Sequence, residues 1–123
     1  MNLVGKAFAV VGASNNPEKY GYKVVEALKK LSKNIYPVNP KETQILGLAV
    51  FKELRDIKEK IDIVVFVLPP KISFEVLKTN PRKKWHYWFQ PGSFDDRVIE
   101  YCKEKGLNFT NDKCIIVESE KQF

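Results

Sequence analysis

With 123 residues, 44% of them apolar and 29% charged, the chain has room for one self-sufficient core; it is expected to fold as a single domain over residues 1–123 without a disulfide or metal staple. Its two cysteines, Cys102 and Cys114, stand far apart with no CxxC pair, which excludes a disulfide framework and a structural zinc site and points to a reducing cytoplasm. The formal charge of +6 is carried mostly by dispersed lysines and favours an anionic partner; a multiply phosphorylated small molecule, nucleic acid or a merely solvated basic surface would each account for it.

No basic stretch leads into an apolar leader, and the longest apolar run, residues 63–68, is too short to cross a bilayer, so an unexported protein away from membranes is expected. In chain order, residues 7–11 form an apolar run stopped by Gly12, the mark of a strand buried on both faces. Across residues 19–31 the apolar positions Tyr20, Val24, Val25, Leu28 and Leu31 recur at three- and four-residue steps, which predicts an amphipathic helix. A short strand follows at residues 35–38, and its Pro37 places it at a sheet edge or strand end. After the loop through Gly47, residues 48–51 suggest a small extension and residues 53–59 a short helix. Residues 61–68 are rich in β-branched side chains and halt at Pro69-Pro70, which predicts a central strand. Beyond it the pattern predicts a helix at 72–78, a strand at 85–89, a helix at 95–105 closed by Gly106, and a last strand at 114–117. This alternation implies a Rossmann-like three-layer α/β/α sandwich around a mainly parallel sheet, with right-handed crossovers.

In such a sheet the ligand crevice lies beyond the carboxyl ends of the strands. That edge would gather Gly12, Ala13, Ser14 and Asn15, then Asn39, Pro40 and Lys41, then Leu68, Pro69 and Pro70, and finally Gln90, Pro91 and Gly92. Gly12 permits a tight turn and a close backbone approach, and the helix that follows offers free N–H groups and a positive dipole end to phosphate. Pro17 and Glu18 suit a helix start, so part of this loop can serve capping instead. The GxGxxG spacing of dinucleotide enzymes is absent, since the next glycine after Gly12 is Gly21. The second strand ends in Asn39 with Lys41 close by, where dinucleotide enzymes carry an acid for the ribose; a lysine there suits a ribose bearing an extra phosphate, as in coenzyme A or NADP.

These residues resemble a known family, the small CoA-binding domain proteins, whose fold also forms the N-terminal domain of the succinyl-CoA synthetase α subunit. The resemblance runs from about Val10 to Glu118 through Val11-Gly12-Ala13-Ser14, Lys19-Tyr20-Gly21, Tyr36-Pro37-Val38-Asn39-Pro40-Lys41, Gly47, Val67-Leu68-Pro69-Pro70, Trp88-Phe89-Gln90-Pro91-Gly92-Ser93 and Asp112-Lys113-Cys114. It implies that Ser14, Asn15, Asn16 and Pro17 form a first CoA-contacting loop, that Lys41 lies on the phosphate side, and that Phe89, Gln90 and Pro91 form a third contacting segment. Two departures stand out: no glycine ends the first helix near Asn34, and the stretch Lys83-Lys84-Trp85-His86-Tyr87 is basic and aromatic.

In the synthetase, ligation belongs to a later domain, so the resemblance implies a non-catalytic module that binds coenzyme A or an acyl-CoA. His86, the sole histidine, has no neighbouring carboxylate in sequence and makes a poor general base. Cys114 is placed by the resemblance near the cofactor's thiol arm, where thiol exchange competes with simple burial; Cys102 fits core packing beside Val98 and Tyr101. No catalytic residue and no metal cluster is assigned. Two other classes remain open: an NAD(P)-dependent oxidoreductase or redox sensor, and a basic domain gripping protein or nucleic acid through Lys83, Lys84, Trp85 and Tyr87. Exposed aromatics around Trp85 would also allow a homodimer, and an enzyme partner is compatible with the module reading.

Overall fold

Within each strand of the sheet, successive side chains point to opposite faces, and here both faces are apolar. The computed structural model describes residues 1–122. Its elements are β1 (Phe8–Val11), α1 (Tyr20–Lys29), β2 (Ile35–Val38), β3 (Gln44–Ile45), β4 (Leu48–Ala49), a 3-10 turn at Leu54–Asp56, β5 (Ile63–Phe66), α2 (Pro70–Thr79), β6 (His86–Phe89), α3 (Asp96–Lys105), β7 (Asn108–Thr110) and α4 (Ile115–Glu120). Five strands pair in the order β2-β1-β5-β6-β7, every pair parallel, so β5 is central and β2 is an edge, as its Pro37 requires.

Phe8, Val10, Ile63, Val65 and Trp88 pack against Val24, Val25 and Leu28 of α1 and Ile115 of α4. On the other face Ala9, Val11, Val64, Phe66, Tyr87 and Phe89 meet Leu77 of α2 with Val98 and Cys102 of α3. Each fully buried Val, Leu, Ile or Phe contributes roughly 1.5–3 kcal/mol, so two such layers hold a sheet whose strands are only three or four residues long. Among the described residues no helix is long and apolar enough to cross a membrane, and no three His, Cys, Asp or Glu side chains group as a metal site.

Three expectations are corrected. The run Cys114-Ile115-Ile116-Val117 is not a strand: Ile115 and Ser119, four residues apart, are buried, Val117 is exposed, and the segment is the start of α4 with Cys114 as its N-cap. Its β-branched residues carry a strand propensity that docking against α1 overrides. The last strand is instead β7, which follows directly from the left-handed Gly106 cap of α3. The short helix expected over residues 53–59 shrinks to the single turn Leu54–Asp56, because Ile57 is already extended. The exposed aromatic rim is also absent: Trp85 and Tyr87 are buried, leaving the lysines of that stretch without an aromatic platform.

Candidate functional site

The strand order reverses between β1 and β5: the chain leaves β1 for α1 on one face of the sheet and leaves β5 for α2 on the other. The carboxyl ends of these two strands therefore part and leave a crevice. Gly12 sits at its base with φ +96°, and a Cβ there would lie 2.2 Å from the Val67 carbonyl oxygen. In the first turn of α1, a Cβ on Gly21 would lie 2.1 Å from the Gly12 carbonyl oxygen. Only glycines allow β5, the loop and the helix to meet this closely. The pair meets the two demands that glycine serves in dinucleotide loops, a tight turn and close helix packing, at a different spacing.

The loop between them holds itself. Ser14 Oγ accepts from the Asn16 N–H at 3.0 Å, Asn16 Oδ1 accepts from the Glu18 N–H at 3.0 Å, and the Asn16 carbonyl accepts from the Lys19 N–H at 3.0 Å. These bonds use Ser14 as an acceptor and leave its hydroxyl proton free to donate. Asn15 is drawn outward, its Nδ2 donating to the Gln44 carbonyl at 2.8 Å and to the Glu42 carboxylate. Lys19 caps α1 with backbone alone, and the first turn carries no acidic residue, so the positive end of α1 stays open to an anion. Asn39 bridges the neighbouring loops: its Nδ2 donates to the Ala13 carbonyl at 2.8 Å, and its Oδ1 accepts from the N–H groups of Lys41 (2.8 Å) and Glu42 (3.2 Å). It is a positioning residue, with both ends of its amide committed to backbone.

The crevice encloses about 710 Å³. Of the sequence candidates, Gly12, Ala13, Ser14, Lys19, Tyr20, Gly21, Asn39, Pro40, Leu68 and Pro69 line it. Asn15, Asn16, Pro17, Lys41 and Pro70 flank it without lining it. Phe89 and Gln90 are buried, Phe89 in the α2 and α3 core, while Pro91 and Gly92 are exposed beyond β6. Gln90 joins sheet to helix instead: its Oε1 accepts from the Ile115 N–H at 2.6 Å and its Nε2 lies 3.3 Å from Cys114 Sγ. The crevice also takes in Val38, Lys52, Glu53, Leu54, Arg55, Val67, Ile72, Val76, Thr79 and Asn80, none of them assigned to the site from sequence. The four-residue step from Ile72 to Val76 marks an apolar helix face that could have been read. Lys52 and Arg55 could not, because a long-range pairing brings them in. Phe51 bridges Val38 in parallel, its N–H donating to the Pro37 carbonyl at 2.9 Å and its carbonyl accepting from the Asn39 N–H at 2.9 Å.

The remaining candidates lie elsewhere. His86 opens β6 at the amino end of the sheet, away from the crevice; its Nε2 is 2.8 Å from Thr110 Oγ1, and burial lowers its pKa below the usual imidazole value. Cys102 is enclosed in the core, where burial pushes its thiol up to about 11, an unreactive neutral group at physiological pH.

A parallel sheet that reverses at β1 and β5, with a glycine-pinned loop under an open helix end, defines a Rossmann-like α/β domain. The family model described as a CoA binding domain matches residues 6–120, and the chain belongs to that family. It is 34% identical over 116 residues to YneT, an uncharacterised protein of Bacillus subtilis, covering 91% of this chain and 84% of that one. It is 36% identical over 78 residues to the ADP-forming acetate–CoA ligase of Methanocaldococcus jannaschii, covering 63% of this chain and 11% of the ligase. Against the alpha subunit of the acetate–CoA ligase II of Pyrococcus furiosus the match spans 16% of the subunit, so the chain corresponds to a small part of these ligases. Among solved structures, a conserved hypothetical protein of Pyrococcus furiosus superposes with a TM-score of 0.84 at 33% identity, covering 92% of this chain and 98% of that one.

Proposed function

We propose that the protein binds coenzyme A, or an acyl thioester of it, noncovalently in the β1–β5 crevice and catalyses no ligation itself. The observation that carries this reading is the Gly12 loop, packed under an α1 N-terminus with no side-chain cap and no acidic residue in its first turn, inside a crevice lined by Lys19, Lys52 and Arg55 against the single acid Glu53. The pyrophosphate sits against the α1 amides and the Ser14 hydroxyl, where dipole and donors both favour an anion. Apolar surface from Val38, Leu54, Ile72 and Val76 receives the uncharged portion of the ligand. Membership of a CoA-binding family supports the ligand class, and the ligase relatives support action beside a separate catalytic partner. Lys41 stands one residue outside the lining at Pro40 and adds a general positive field at the mouth.

The test is isothermal titration of the protein with coenzyme A, acetyl-CoA, NAD and NADPH. Saturable binding of coenzyme A and acetyl-CoA with neither dinucleotide matching them is expected. Preference for NADPH, or no binding of any of the four, overturns the reading.

A further inference from the structure

The end of β2 is where Rossmann-type domains distinguish one ribose from another, and this chain supplies that place twice. Directly it offers Asn39, whose amide is consumed by the Ala13, Lys41 and Glu42 backbone, and then Lys41, which is exposed and outside the crevice lining. Indirectly it offers Lys52. The parallel bridge of Phe51 to Val38, with bonds from Pro37 and to Asn39, adds one more rung beyond the β2 edge and sets the next residue beside the carboxyl end of that strand. Lys52 lines the crevice there, and the 3-10 turn that follows carries Arg55 into the same lining.

We infer that Lys52, assisted by Arg55, is the main specificity element for a phosphorylated ribose, ahead of Lys41. The inference deepens the coenzyme A reading and rests on it. Lys52 makes no ion pair among the described residues, so its ammonium is free for an incoming phosphate. Arg55 is held toward the crevice by Glu53, with Nε 3.1 Å from Oε2 and Nη2 3.4 Å from Oε1. Glu53 itself is anchored by the capping box of the turn, in which its N–H donates to Asp56 Oδ2 at 3.1 Å. That carboxylate repels a phosphate, so Arg55 acts as an oriented donor with much of its charge already balanced and Lys52 supplies the net positive charge. A ligand without the ribose phosphate meets the same crevice but gives Lys52 nothing to neutralise.

The experiment compares coenzyme A with dephospho-CoA by calorimetric titration on the wild-type protein and on Lys52→Gln, Lys52→Arg, Arg55→Gln and Lys41→Ala. Loss of one charge-assisted contact lowers affinity roughly tenfold or more. Lys52→Gln is expected to weaken coenzyme A by about that factor and dephospho-CoA by less than about twofold, and Lys52→Arg to retain the wild-type ratio. Lys41→Ala is expected to weaken coenzyme A slightly more than dephospho-CoA, because coenzyme A carries more charge in its field, but to change their ratio much less than Lys52→Gln does. The inference is overturned if Lys52→Gln weakens both ligands equally or neither, or if the ratio collapses in Lys41→Ala instead. A wild-type protein that binds neither ligand overturns the coenzyme A reading as well, and the two failures are thus distinguished. Lys52 is an exposed side chain, and an unchanged unfolding midpoint in each variant confirms that the fold is intact.

Discussion

Asn39 joins two loops through three backbone hydrogen bonds, and losing its amide removes the partner of the Ala13 carbonyl at the crevice and of the N–H groups of Lys41 and Glu42 just outside it. Asn39→Ala is therefore expected to cost about 1–3 kcal/mol in urea unfolding, with a matching loss of ligand affinity. Asn39→Asp keeps the acceptor for Lys41 and Glu42, loses the donor to Ala13, and should fall between the two; equal stability of all three proteins would show that the bridge does not matter. Tyr87 gives a second residue-level expectation. Its hydroxyl accepts from the Arg82 N–H at 2.8 Å, donates to the Asn80 carbonyl, and is pushed up to about 12 by burial. Cys102, from 9.0 to about 11, moves the same way for the same reason. Both groups have folded values above their unfolded ones, so the fold favours their neutral forms. That stability is intact below pH 9 and is lost as the pH rises toward 12, each group contributing a slope of at most about 1.4 kcal/mol per pH unit. Tyr87→Phe should flatten the upper part of that decline, measured as unfolding free energy between pH 9 and 12, and an unchanged slope would contradict the assignment.

Gln90 is the clasp between the sheet and α4. Its Oε1 satisfies the Ile115 N–H, one of the amides that a helix start leaves without an internal partner, while Trp88 Nε1 donates to the Lys113 carbonyl at 3.0 Å just before it. Gln90→Leu leaves that buried amide unpaired, so α4 should open locally before the molecule unfolds, with amide exchange over Ile115–Glu120 about tenfold faster and α3 unaffected. The same contacts explain why this segment reads as a strand in the sequence. Ile115-Ile116-Val117 is a strand by propensity, and only a glutamine 25 residues away and the α1 surface make it a helix. Strands β1 and β5 are legible because burial on both faces leaves unbroken apolar runs, and α1 because its buried side chains repeat with the helix. The Gly12 loop is legible as a turn between them. Lys52 and Arg55 are not, since the bridge from Phe51 to Val38 that delivers them leaves no local pattern, and β7, three residues long, is too short for alternation to show.

At the scale of the whole molecule, the crevice is assembled from several elements: the Gly12 loop and α1 on one side, the 3-10 turn and α2 on the other, and the Asn39 bridge at the β2 end. A ligand that touches all of them adds contacts across the crevice, and any ligand that binds only the folded chain must stabilise it by mass action. At a free concentration about one hundred times the dissociation constant this adds about 2.7 kcal/mol, which in a domain of this size raises the melting temperature on the order of 10 °C. Because the formal charge is +6 and the proposed ligand is a polyanion, part of that gain is Coulombic and weakens as salt is added, whereas the apolar contacts at Leu54, Ile72 and Val76 do not. Thermal melts with coenzyme A at low and high salt, scaled to the affinity measured in each buffer, should therefore show the same shift at equal saturation but need more ligand at high salt to reach it. A melting temperature that stays fixed under saturating coenzyme A in both buffers means that the ligand does not select the folded state, and the crevice then serves some other anion.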